Sequence, residues 1–406
     1  MFIVKKIAFL KMTAVIGGLL IASGSLMANR RRPAPPPADN GNVTSFFGRY
    51  VSVGDSITHG FQGGSVDETR QGDAYGARLA KVMNTGYEMP LLKFPGYLVN
   101  MEDVWKGNIR WYQWYCGLVG CRKTESNQSR LNNFAVTGED AQTVLNTGGS
   151  EGGFHKLVLG KNGRPQLTQA LDRNPSFLSV WIGNNDALGA ALHRDLGELT
   201  PINTFYNSYR TIASRIAAKQ SAGVIQGVAV ANTPDVTAIP YLTRRADGSY
   251  KAFWDSHVSG AGDVLDADEI AVMRTQVAGI NGEIARQAAA NGWALFDANA
   301  FFNDVKANGY ALKYSSGRDS SRRITADYLG GAFSLDGVHP SSTGHAIATN
   351  QFILAINRTY GKNLARISEY AAAGADSLYT NPVDPRPTIT GTWYGKAITF
   401  LLDLFV

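Results

Sequence analysis

Along the chain, short apolar runs alternate with stretches whose apolar positions recur every three or four residues. Tyr50–Val53 is apolar, β-prone and followed by Gly54. Phe134–Val136, Phe177–Ile182, Val224–Ala231 and a run opening at Ala294–Phe296 read the same way. The unbroken apolar character of Phe177–Ile182 fits a strand covered on both faces. Between these runs lie helical patterns. Residues 73–84 place Tyr75, Leu79 and Val82 on one face, and residues 203–220 space Phe205, Tyr209, Ile212 and Ile216 at helical intervals. Residues 266–291 and 343–360 are also helical in pattern, the last with Thr343 as its expected N-cap. Strands alternating with helices predict an α/β domain around a mostly parallel sheet.

Two stretches break the alternation. Residues 86–133 are irregular and aromatic, with Trp105, Trp111, Tyr112, Trp114 and Tyr115, and read as an insertion packing over the core or as a lid. Past residue 361 the pattern loosens, and the apolar segment 393–406 is expected to dock on the domain, contact with a membrane or partner being the alternative.

Composition adds two points. A hydrophobic share of 44% and a charged share of 18% describe a folded protein. The net charge of +6 is concentrated at one end: six basic residues and no acid fall within the first 32, which leaves 33 basic against 33 acidic residues beyond them. The body is neutral, so its charge points to no nucleic-acid partner. Residues 1–11 form a basic region, 12–27 an apolar core and Ala28 a small residue at its end, the pattern of an export signal leading to a periplasmic or extracellular location. Arg30–Arg32 favour the alternative of a retained membrane anchor, and Pro33–Pro37 read as a stiff tether. Cys116 and Cys121 are the two cysteines, and a local disulfide between them would contribute about 2 kcal/mol.

The candidate chemistry sits at strand ends. Gly54-Asp55-Ser56 follows the first strand, where a serine on a tight turn exposes its hydroxyl beside backbone N–H groups. Thr137-Gly138 follows the second, and Gly183-Asn184-Asn185-Asp186 the third. Asp336-Gly337-Val338-His339 comes last, and its spacing lets the aspartate accept from Nδ1–H and leave Nε2 free to take a serine proton. Carboxyl ends of strands are where open α/β sheets bind ligands.

In these four blocks the sequence resembles the SGNH (GDSL-type) hydrolases, over roughly residues 47–360. The resemblance implies a three-layer α/β/α sandwich around a five-stranded parallel sheet. It implies Ser56 as nucleophile, His339 as general base and Asp336 as its orienting acid, with Ser56, Gly138 and Asn185 forming the oxyanion hole. Ile57 stands where the family most often has leucine, and Asn184 fills a variable slot. The chain then divides into a leader (1–28), a linker (29–45), the hydrolase domain (46–360) and a C-terminal extension (361–406). No metal or organic cofactor is expected, since Asp336 and His339 have no obvious further ligands.

Rival signals are weaker. Gly148-Gly149-Ser150-Glu151-Gly152 matches a G-x-S-x-G nucleophile elbow but reads as a glycine-rich loop without a strand before it or a helix after it. Asp55, His59, Asn232 and Asp235 are expected on the substrate rim, His345 is expected to be structural, and His155, His193 and His257 have no acid at telling spacing. Glu139 and Asp140 flank the oxyanion glycine and disfavour anionic substrates. The expected substrate is a small-molecule or lipid ester cleaved by a carboxylesterase or lipase, the alternative being an O-acetylesterase acting on an acetylated glycan. A non-catalytic binding module on a hydrolase frame is the reading from another class.

Overall fold

The computed structural model describes residues 45–109, 130–252 and 264–389. Four strands run parallel in the order β1 (Tyr50–Gly54), β2 (Phe177–Trp181), β3 (Gly227–Ala231) and β4 (Ala294–Phe296). Every residue of β1, β2 and β3 is buried, so these segments carry apolar side chains at consecutive positions and not at alternate ones. Successive side chains point to opposite faces. Val51, Val53, Leu178, Val180, Val228 and Val230 enter one core, while Tyr50, Phe177, Trp181, Ala229 and Ala231 enter another.

The helices used below are α1 (Ser56–His59), α2 (Tyr75–Met83), α3 (Gly153–Leu159), α4 (Asn185–His193), α5 (Ile202–Ser221), α6 (Ala267–Asn291), α7 (Ala298–Asn308) and α8 (Ser342–Tyr360). Helices α5 and α6 seal the first core with Phe205, Tyr209, Ile212, Met273, Val277 and Ile280. Helices α2 and α8 seal the second with Tyr75, Leu79, Phe352, Ile353 and Ile356. Each such side chain contributes about 1.5–3 kcal/mol on burial. The result is the three-layer α/β/α arrangement.

The sheet differs from expectation in the second of its five expected strands, Phe134–Val136. The backbone of residues 132–136 does run beside the outer edge of β1: Ser52 N donates to Asn132 O (2.9 Å), Phe134 N to Ser52 O (3.1 Å) and Val136 N to Gly54 O (3.2 Å). No regular ladder forms, because the Gln166 side chain accepts from the Gly54 N–H at 2.8 Å, where a strand carbonyl would, and shares the Gly54 C=O with Val136 N, donating to it at 3.0 Å.

Other boundaries shift for local reasons. The strand expected from Val224 begins at Gly227, since the N–H groups of Val224 and Ile225 cap α5 through Lys219 O. The first expected helix divides at Ala74, whose extended backbone separates Glu68–Asp73 from α2. Ser341 and not Thr343 caps α8, its hydroxyl accepting from Gly344 N at 3.0 Å, while the Thr343 hydroxyl donates to Asp376 at 2.8 Å. That bond is one of several by which residues 361–389 dock on α8; Asn350 accepts from Ile367 N and donates to Ile367 O. Residues 110–129 of the aromatic insertion, with Trp111, Tyr112, Trp114, Tyr115 and both cysteines, lie outside the described residues, as do the leader and residues 390–406. Among the described residues no helix is long and apolar enough to cross a membrane.

Candidate active site

Strand β1 delivers Ser56 directly into α1. Asp55 caps that short helix, its carboxylate accepting from Ile57 N at 3.0 Å. Gly54 is required by close approach: a Cβ there would stand 2.2 Å from Thr58 Oγ1 and 2.7 Å from Trp181 O. The turn therefore presents the Ser56 hydroxyl at the sheet's carboxyl edge.

His339 comes from the segment before α8. His339 Nε2 lies 2.9 Å from Ser56 Oγ, and His339 Nδ1 lies 3.0 Å from Asp336 Oδ2. Asp336 is fully buried and accepts four further hydrogen bonds, from Val338 N, His339 N and the Ser334 hydroxyl at Oδ1 and from Gly64 N at Oδ2. Burial works to raise its pKa, but the His339 ring and these donors outweigh it and hold the carboxyl below the usual range. The ring of Phe61 lies against His339 at 4.7 Å between centroids. Asp336 stays ionised and fixes the imidazole so that Nε2 faces the serine.

The oxyanion side is built from the 133–139 segment and α4. Gly138 has φ +87°, a conformation other residues rarely adopt, and a Cβ there would meet nothing within 4 Å. Two bonds tie this loop to α1: Asn133 Nδ2 donates to Thr58 O (2.9 Å), and His59 Nδ1 pairs with the Thr137 hydroxyl (3.0 Å). Asn185 opens α4, and its amide donates to Glu139 O at 2.7 Å, next to Gly138.

Beside Ser56 and His339 lies a small apolar cavity of about 40 Å³, walled by Ile57, Trp181, Leu188, Pro234, Val236, Ile239, Phe302, Phe333, Val338 and Pro340, with Asn184 at its polar end. The residues expected on the rim are placed elsewhere. Asp55 is fully buried, accepts from Asn184 Nδ2 at 2.7 Å, and is pushed up to about 6 by burial. His59 is fully buried behind Thr137. Asn232 is buried between β3 and α7, donating to Asp297 and accepting from Asn299 N. Asp235 turns to Thr237 and Arg274, while its neighbours Pro234 and Val236 form the wall.

Other sequence signals resolve as follows. A helix, α3, does follow the Gly148–Gly152 match, but Ser150 sits in a single 3-10 turn that no strand enters. His155 has an acid after all, Glu139, at 3.0 Å. His345 is fully buried and pushed down to about 3 by burial, in keeping with a structural role, and His257 lies outside the described residues. Ser334 and Gly64, which hold Asp336, carry no signal beyond their nearness to functional blocks. Among the described residues no group of three or more His, Cys, Asp or Glu is disposed to hold a metal.

The geometry can be set beside known proteins. A search of curated proteins finds no match. Among solved structures the chain is similar to LAE5, an α/β hydrolase from the metagenome of Lake Arreo, Spain, at 14% identity and a TM-score of 0.36, covering 76% of this chain and 94% of that one. It is likewise similar to Axe2, an acetylxylan esterase from Geobacillus stearothermophilus, at 13% identity and a TM-score of 0.36, covering 76% and 93%. The family model for GDSL-like lipase/acylhydrolase matches residues 50–352, from the first residue of β1 into α8, and so takes in every site segment described above. This chain belongs to the GDSL-like lipase/acylhydrolase family and is an ester hydrolase.

Proposed function

We propose that the chain is a serine carboxylesterase for short acyl esters, with Ser56 as nucleophile. The observation that carries this reading is the hydrogen-bonded run Ser56–His339–Asp336 opening on an apolar cavity of about 40 Å³. The space beside Ser56 is small and its walls are almost wholly apolar. That suits the tail of an acetyl to butyryl group and not a fatty chain.

In the mechanism, Ser56 Oγ attacks the ester carbonyl carbon while His339 Nε2 takes its proton. The tetrahedral oxyanion is met by the N–H groups of Ser56 and Gly138 and by the second amide hydrogen of Asn185. His339, now charged against Asp336, returns the proton to the leaving alcohol. Water then attacks the acyl-enzyme with His339 again as base, freeing the acid and Ser56. The basic and apolar character of residues 1–28 supports action outside the cytoplasm, on esters met there.

The test is the initial rate on p-nitrophenyl esters from acetyl to palmitoyl, for wild type and Ser56→Ala. Rates that peak between acetyl and butyryl and vanish in Ser56→Ala are expected. A peak at long chains overturns the short-acyl assignment, and full activity in Ser56→Ala overturns the mechanism.

A further inference from the structure

We infer that Glu139 and His155 form a positioning pair that aims the Asn185 amide through the main chain of Glu139. This rests on the reading of Asn185 as an oxyanion donor.

Glu139 is tied at three points. Its N–H donates to Val136 O (3.3 Å), its C=O accepts from Asn185 Nδ2 (2.7 Å), and its carboxyl meets His155 Nε2 (3.0 Å). The first bond anchors it to the edge of β1. The second consumes one amide hydrogen of Asn185 and thereby fixes the direction of the other. The third reaches across to α3, which is packed through Phe154 against Tyr97 and His59 at 4.8 and 5.7 Å between centroids.

Gly138 has φ +87° and a Cβ there would find open space within 4 Å, so no side chain at this position braces the turn and its hydrogen bonds carry that task. Neighbouring acids do not share the task. Asp140 accepts from Thr143 and Gln142 N, and Asp186 accepts from Ala141 N. Glu139 is fully buried, and burial lifts its pKa, so this carboxyl is kept where an apolar side chain would be less costly.

The experiment compares kcat and KM on p-nitrophenyl acetate for Glu139→Ala, Glu139→Gln, His155→Phe, Asn185→Ala and the Glu139→Ala/Asn185→Ala double variant. Glu139→Ala and His155→Phe are expected to lower kcat about tenfold or more with KM within about twofold. Glu139→Gln should recover most of that loss, since its amide oxygen still accepts from His155. In the Asn185→Ala background, Glu139→Ala should add nothing, because the pair acts through the amide already removed. Independent, multiplying losses in the double variant overturn the inference, as does a Glu139→Ala kcat within about twofold of wild type beside a costly Asn185→Ala. A neutral Asn185→Ala instead removes the oxyanion reading and the pair with it. Should Glu139→Ala not fold, Glu139→Gln and His155→Phe carry the test through the same kcat-against-KM split.

Discussion

Each group in the Ser56–His339–Asp336 run has a different stake in the fold. On the proposed mechanism Ser56→Ala and His339→Ala each lower kcat about 10⁴-fold or more, Ser56→Ala with little change in melting temperature and His339→Ala with a fall in it, because buried Asp336 loses its ring partner, checked by ester kinetics beside calorimetry. Asp336→Ala leaves Gly64 N, Val338 N, His339 N and the Ser334 hydroxyl without their acceptor, so activity and stability should fall together. Asp186 sets a pH dependence of the opposite kind. Burial, with the Asp140 charge second, pushes it up to about 7 from the ordinary aspartate value of 3.8. The folded chain therefore binds a proton that the unfolded chain has lost across that window, and stability declines as pH rises from about 4 to about 7. Asp186→Asn is expected to flatten this decline and to raise the melting temperature at pH 8, as thermal unfolding followed across pH would show. At this scale the sequence was most informative where residue types and spacing define chemistry, as in Asp336-x-x-His339. It was least informative where a side chain's direction decides. Asp55 and His59 stand near Ser56 in sequence, yet hydrogen bonds to Asn184 and Thr137 hold their buried side chains inward.

Elements were legible when their pattern was long and their partners lay on both faces. The strands β2 and β3 and the helices α5 and α6 follow from apolar runs and helical spacing, because burial between layers demands those patterns. The weak link was the segment 132–136, where a side chain remote in sequence, Gln166, replaces a strand neighbour at Gly54. No local signal announces such a substitution of amide for backbone. Gln166→Ala should leave the N–H of Gly54 without an acceptor two residues before Ser56, while Val136 N keeps its C=O, and destabilise by about 1–3 kcal/mol, measurable by urea unfolding. Gly54→Ala is expected to cost at least as much and to lower kcat as well, because the added methyl displaces Thr58 within α1.

For the molecule as a whole, the alternating pattern and the resemblance together indicated a layered α/β enzyme, and the family match agrees. Substrate size was not legible, since the wall beside Ser56 draws on residues from 57 to 340 that only the fold collects. Among them, Phe302 on α7 and Phe333 pack ring against ring at 6.0 Å. Phe302→Ala should deepen the cavity and move the preference in kcat/KM toward longer acyl chains, by about tenfold between acetyl and hexanoyl esters.

The bond from His339 to Ser56 joins positions 283 apart. A chain leaving the ribosome thus carries Ser56, the 133–139 loop and all four parallel strands before His339 has been made. Turnover by the proposed mechanism therefore waits for the segment before α8, long after Ser56 has been made.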